Sequence, residues 1–193
     1  MIDQTVTTTL NPETIANEKI KWGIDMAHSE VGFKVKHLMV ANVRGLFKEF
    51  QASIVTTGED FMTAEIDFWM DPASVDTGSA DRDKHIRSAD FFDADQFKQI
   101  HFTGNTYEEV DHDGSYELYG DLTIKGITKR IKLDVEFGGI LKDPWGNQKA
   151  VFNINGKINR KDWGLNWNAA LEAGGLLVGE EVSISADIQL FKQ

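Results

Sequence analysis

Between Pro72 and Phe102 the alternation of apolar and polar residues that runs through most of this chain stops, and a polar and aromatic insertion replaces it. Before it, Ala64, Ile66, Phe68 and Met70 alternate with Glu65, Asp67 and Trp69; after it, Ile100 and Phe102 restart the pattern. A period of two puts successive side chains on opposite faces of a strand, so one strand leaves here and another returns. Within the insertion, Ser79 or Asp81 can cap a short helix whose first turn is acidic, with Lys84 and Arg87 toward its end, the order that the helix dipole favours. The expectation is a helical crossover over one end of a sheet. Phe91 and Phe92 follow directly. In extended chain two neighbours point opposite ways, so at least one of them needs cover from another element.

The remaining chain reads as short strands. Ile20, Trp22 and Ile24 alternate with polar neighbours, as do Val31, Phe33, Val35 and His37 after a turn over Asp25 to Ser29. A third strand is expected from Val43 to Thr56, with Leu46, Phe50 and Ile54 on one parity and Gly45 marking a bulge or bend. A fourth ends at Asp71-Pro72, since proline cannot extend a central ladder. Strands over Gln99 to Val110 and Ser115 to Ile124 flank His112-Asp113-Gly114, a hairpin signal, and Lys125-Gly126 turns tightly into a strand through Phe137. Asp143-Pro144-Trp145-Gly146-Asn147 makes the next turn, and Val151 to Asn159 follows. Residues 168–180, with Gly174, Gly175 and Gly179, read as a loop or broken helix before a last strand through Val182, Ile184, Ala186, Ile188 and Leu190. Residues 1–18 form an arm, loose or with a short helix from Pro12 to Asn17, and residues 19–193 one domain. The fold class is all-β, with eight or nine antiparallel strands. A closed barrel is the economical arrangement because closure removes exposed edges, and at about eight strands its interior is either packed or holds one small elongated ligand.

The formal charge of −11, from 31 acids against 20 bases, repels phosphate backbones and anionic surfaces, so nucleic acid is not expected as a partner. The absence of cysteine excludes disulfides and thiolate chemistry. Met1 to Asn17 has no basic start, apolar run or small-residue cleavage site, so a cytoplasmic location is expected, or a periplasmic one if an export segment was trimmed. No window approaches a membrane span.

Six motifs lie in register along the chain: Asp25-x-x-His28-Ser29-x-Val31-x-Phe33-x-Val35-x-His37; Val43-x-Gly45-x-Phe47-x-x-Phe50; Asp83-x-His85-Ile86-x-Ser88-x-Asp90-Phe91-Phe92-Asp93; Gly120 to Thr128; Asp143-Pro144-Trp145-Gly146; and Ile158-x-Arg160-x-Asp162-Trp163-Gly164. In this order and spacing the chain resembles the YceI-like family of lipocalin-like, polyisoprenoid-binding proteins, from Ile20 to Leu190. The resemblance implies an extended antiparallel eight-stranded barrel with a lipid-filled interior, prenyl or fatty-chain ligands and a homodimer. Trp163 stands where the family more often has Phe, which keeps the aromatic ring. The export signal of many members is not seen, so a periplasmic role does not carry over.

His28, His37 and His85 with Asp25 and Asp83 are competent metal ligands, but they lack metal-site spacing and fall in different elements, so no metal and no cofactor is expected. Ser29 and Ser88 lie near His28 and His85 without a nucleophile elbow, and Asp83 and Asp162 are more readily solvated or salt-bridged than paired. Arg160 precedes Asp162 by two positions in an alternating stretch. It either pairs with Asp162 to close a barrel end or offers its guanidinium to a ligand's polar head. The expected activity is non-catalytic binding or carriage of a polyisoprenoid, an isoprenoid quinone precursor or a fatty-chain lipid. A packed structural or stress-response interaction protein and a small metal-dependent enzyme are the alternatives. The expected ligand-binding residues are the inward set Phe33, Val35, Phe47, Phe50, Ile66, Phe68, Ile100, Phe102, Leu122 and Ile124, together with His37, His85, Ile86, Phe91, Phe92, Arg160 and Trp163. The crossover is expected to gate the cavity, with His85 meeting a head group, unless Phe91 and Phe92 simply plug the barrel. Trp69, on the polar face of its strand, is expected to be exposed and to favour the homodimer.

Overall fold

The computed structural model describes residues 18–111, 114–170 and 175–193; residues 1–17 of the N-terminal arm, His112-Asp113 and Gly174 lie outside them. The strands are β1 (Lys19–Ile24), β2 (Glu30–His37), β3 (Ala41–Phe47), β4 (Phe50–Thr57), β5 (Asp60–Met70) and β6 (Val75–Asp76), then, after the α-helix α1 (Ala80–Arg87), β7 (Ile100–Glu109), β8 (Ser115–Ile124), β9 (Ile127–Lys142), β10 (Gln148–Asn159) and β11 (Val178–Lys192). β1 and β2 lie end to end along one edge of β11, with Trp22 opposite Lys192 and Val31 opposite Ala186. β3 and β4 are likewise two halves of one long strand, β3 paired with β2 and β4 with β1. With each broken strand taken once, eight antiparallel strands close into a barrel. β6 adds only a two-residue rung to the outer edge of β3.

The strand expected over Val43 to Thr56 is therefore interrupted, at Lys48-Glu49 and not at Gly45. Ser74, in a short 3-10 turn that Asp71 caps, accepts from Lys48 N through its carbonyl at 3.2 Å and from Glu49 N through its hydroxyl at 3.0 Å, which pulls the two backbone amides out of the ladder. The break resets the phase, so Phe47 and Phe50 are both buried despite opposite parity, while Leu46 turns away from the interior face. Gly45 stays in register opposite Phe33, where a Cβ would come within 2.5 Å of the Phe33 ring. Lys125-Gly126 makes the expected two-residue turn, with φ of 49° and 73° between the paired Ile124 and Ile127.

The two ends of the barrel differ. At the end of the β4–β5, β7–β8 and β9–β10 turns, Phe61 packs against Trp22 and Phe152 at 4.9 Å and against Phe137 at 5.3 Å, and Tyr107 meets Tyr116 at 5.8 Å. Such aromatic contacts are worth about 0.5–1.5 kcal/mol each beyond area burial and floor the barrel here. The opposite end carries the β2–β3 turn, α1 and the connection from β10 to β11. Trp69 is half-buried, not exposed, because it is flanked across the sheet by Gln51 and His101.

Candidate functional site

Inward residues from every long strand enclose a cavity of about 560 Å³ whose wall is apolar along nearly its whole length. That volume falls within the roughly 300–1,000 Å³ of small-molecule sites. Phe33, Val35 and His37 reach it from β2, Phe47 from β3, Ile66 and Phe68 from β5, Ile100 and Phe102 from β7, and Leu122 and Ile124 from β8. Phe102 has room because its ring lies over Gly104 and Gly120, paired across β7 and β8; a Cβ on Gly120 would collide with the ring.

Two of the expected residues are elsewhere. Phe50 is buried beside Phe68, at 6.0 Å between ring centres, but does not reach the cavity, because it follows directly on the break in the long strand. Trp163 is buried under the end of β8, its indole N–H donating to Leu122 O at 3.0 Å, so it closes the barrel wall from outside the cavity.

The mouth is built by α1 and the turns after it. Asp83, buried in the helix, accepts from Thr77 N at 2.8 Å and Thr77 Oγ1 at 2.5 Å, Arg82 donates to Thr77 O at 2.7 Å, and Arg87 donates to Val75 O at 2.7 Å. These bonds strap α1 to β6 and hence to the edge of β3. His85 and Ile86 then face the cavity, with His85 paired to Asp90 at 2.9 Å and its ring edge-on to Phe91 and Trp167. Phe91 and Phe92 both border the cavity, contrary to the rule for extended chain, because residues 88–93 are turns and Asp93 takes a φ of 49°. Phe92 leans on Phe47 at 5.8 Å and Phe91 on Trp167 at 5.4 Å.

Arg160 corrects a second expectation. β10 ends at Asn159, whose side chain accepts from Lys161 N, and residues Arg160–Trp163 form a 3-10 turn that stops at Gly164 with a φ of 71°. Spacing by two no longer means one face, and Arg160 does not pair with Asp162. Arg160 is 3% exposed, and its guanidinium donates to Gly179 O at 2.8 Å, Val178 O at 3.3 Å and Leu165 O. Among the described residues no carboxylate lies within ion-pair distance of it. Burial lowers its pKa from the ordinary value, with Glu180 acting against the shift. Arg160 thus stitches the β10–β11 connection to β11 while bordering the cavity.

Sequence reasoning missed Phe61, Tyr107, Tyr116, Phe152 and Trp167 as lining residues. Tyr116 and Phe152 sit on strand parities that could have been extended by the same alternation, whereas Tyr107 turns inward only because the β7–β8 register shifts between Gly104 and Thr106, and Trp167 lies in an irregular segment that carries no periodic signal. Burial pushes the Tyr107 and Tyr116 hydroxyls well above their ordinary pKa, so both stay neutral. Among the described residues no three His, Asp or Glu side chains converge as a metal site. His28 is held by Asp25, and Ser29 and Ser88 bond to backbone of Gln189 and His85.

The sequence profile of the YceI-like domain matches residues 22–190. A UPF0312 protein of Staphylococcus aureus is 39% identical over 166 residues, covering 86% of this chain and 94% of that protein. The crystal structure of the Campylobacter jejuni YCEI protein, at 33% identity, superposes with a TM-score of 0.68 over 88% of this chain and 96% of that one. At 15% identity, a polyisoprenoid binding domain from Saccharophagus degradans shares the fold with a TM-score of 0.60, covering 90% of this chain and 98% of that one. With matches spanning nearly all of the barrel, the chain belongs to the YceI-like domain family.

Proposed function

We propose that this protein binds one long-chain apolar molecule inside the barrel and does no chemistry on it, the ligand being a polyisoprenoid, an isoprenoid quinone precursor or a fatty-chain lipid. The observation that carries the reading is a long apolar cavity, floored by aromatic rings, with one buried and carboxylate-free cation, Arg160, on its wall. A hydrocarbon chain moved from water into such a space gains roughly 0.8 kcal/mol per methylene, so the tail needs no specific partner. The head is where selectivity arises. The guanidinium N–H groups not used on Leu165, Val178 and Gly179 favour an oxygen acceptor, a carboxylate, phosphate or carbonyl, over a cationic head. His85 and Phe92 belong to this mouth, and we take α1 as the element that ligand passes. The shared fold of the polyisoprenoid binding domain from Saccharophagus degradans accords with this reading.

Organic extraction of the purified protein followed by mass spectrometry tests it. One lipid per barrel, or saturable uptake of an added prenyl alcohol or fatty acid, is the expected result. An extract with no lipid and no uptake by the emptied protein would mean a packed interaction module instead. A homodimer accompanies the proposal; with Trp69 half-buried, its support is the family resemblance alone, and a monomeric mass by light scattering at micromolar concentration would remove it.

A further inference from the structure

At the mouth end, the turn between β2 and β3 is Leu38-Met39-Val40, three large apolar residues that are 49%, 62% and 84% exposed. Leu38 and Met39 take φ of 51° and 65°. That left-handed region suits Gly or Asn and is costly for bulky side chains, so neither local conformation nor burial accounts for these residues here. Leu176, also exposed, stands close by, since Leu38 N donates to the carbonyl of Leu177 at 2.9 Å. The stem of this hairpin is basic. From Val31 to Lys48 there are four cations, Lys34, Lys36, Arg44 and Lys48, and no acid, in a chain of net charge −11.

The sheet lines these charges up. Lys157 on β10 lies opposite Ser183 on β11, Ser183 opposite Lys34 on β2, and Lys34 opposite Arg44 on β3, a single row across four strands. Like charges directly opposite one another destabilise a sheet. Lys157 is offset by Glu181 at 3.1 Å, but among the described residues Lys34, Lys36 and Arg44 have no carboxylate partner. Lys129, Arg130 and Lys132 border the same shallow groove as Lys34 and Lys157, five cations against the two acids Asp134 and Asp162, with Lys132 held by Asp134 at 3.0 Å and Arg130 near Asp121 at 3.9 Å. Other exposed apolar residues, Val110, Leu141 and Trp145, lie at the floor end, where Asp111 and Asp143 stand among Lys142 and Lys149 and the charge is mixed.

We propose that the β2–β3 hairpin docks the mouth of the barrel on an anionic lipid bilayer, with Leu38, Met39 and Val40 entering the interface and Lys36, Lys34 and Arg44 meeting lipid phosphates. Along an extended strand Lys36 stands roughly 7 Å and Lys34 roughly 13 Å from Leu38, the depth at which head groups lie when a tip is buried at the acyl boundary. The overall negative charge does not forbid this, because screening over about 8 Å at physiological salt makes the local patch decide. Docking in this orientation faces the cavity mouth, with His37 and Leu177 in its lining, toward the membrane.

The test is flotation of the full chain with vesicles of phosphatidylcholine alone or with about 30% phosphatidylglycerol. Wild type should float with the anionic vesicles, less so as salt rises, and not with the neutral ones. Leu38→Asn with Met39→Gly removes the apolar tip and places residues that accept left-handed backbone, so this double variant should melt higher than wild type yet float at least about tenfold less. Lys34→Glu with Lys36→Glu should abolish flotation while leaving the melting temperature nearly unchanged. Failure of wild type to float, or equal flotation of the tip variant, overturns the proposal. So does a tip variant that turns a dimer into a monomer and still floats, which would assign the tip to a second copy of the chain. The lipid content of the barrel is read separately by extraction, so an empty cavity with intact docking would fault the binding proposal alone.

Discussion

Asp25 sits where β1 ends, its carboxylate accepting from Lys149 Nζ at 2.7 Å and facing His28 Nδ1 at 3.0 Å. These partners, Lys149 foremost, hold its pKa down to about 2 although burial acts to raise it. A folded-state pKa below the unfolded one gives stability that is complete above about pH 4 and is lost as pH falls toward about 2. Lys149→Met should therefore melt lower than wild type at neutral pH, with the gap closing as melts are taken down to about pH 2; a gap that stays constant over that range would exclude Asp25 as its source. Arg160 is the other charged residue whose surroundings fix its role. Arg160→Met leaves the carbonyls of Leu165, Val178 and Gly179 without their donor and should lower stability by roughly 3 kcal/mol or more in denaturant unfolding. Arg160→Lys restores the charge without the fork and should recover only part of this. In the sequence, Arg160 was recognisable as unusual but its partners were not, because the 3-10 turn that redirects it depends on Asn159 capping and Gly164 stopping a single turn.

At the scale of elements, α1 and the turns behind it are held by polar bonds to β6 and by aromatic contacts, whereas the strands around them are held by continuous ladders. Elements with few ladder bonds open first. Phe92 is half-buried, between the cavity and Phe47. Phe92→Ala should speed the exchange of a fluorescent fatty acid several-fold while costing less than the roughly 3–5 kcal/mol of a fully buried Phe. A full loss of that size with unchanged exchange would make Phe92 a plug. Most elements were legible because alternation, Asp71-Pro72, Lys125-Gly126 and the acidic-to-basic order of Asp81, Asp83, Lys84 and Arg87 each carry a local mechanism. The break at Lys48-Glu49 was not, since it is made by Ser74, more than twenty residues away, and leaves no mark on the local pattern. The inward face was readable up to that break and again beyond it, which is why Phe50 alone among the inward strand residues was misplaced.

For the molecule as a whole, an apolar cavity means that stability and occupancy are linked. Ligand at about 100 times its Kd stabilises the folded state by about 2.7 kcal/mol, so stripping the barrel should lower Tm by roughly 5–10 °C, and re-addition of the extracted lipid should restore it. Differential scanning calorimetry of loaded and emptied protein measures this, and identical curves would mean that nothing in the cavity is bound. The ring itself is shut by β11, which joins β10 along one side to β2 and β1 along the other, as far as Trp22 opposite Lys192. On a ribosome adding about 5–20 residues per second, β1 and β2 must then wait on the order of ten to forty seconds for the strand that covers their edge. Through that interval the nascent chain is an open, apolar trough, not a barrel, and no lipid can be enclosed. Chains arrested before Val182 should consequently remain protease-sensitive throughout, and those carrying β11 clear of the exit tunnel should become resistant in one step.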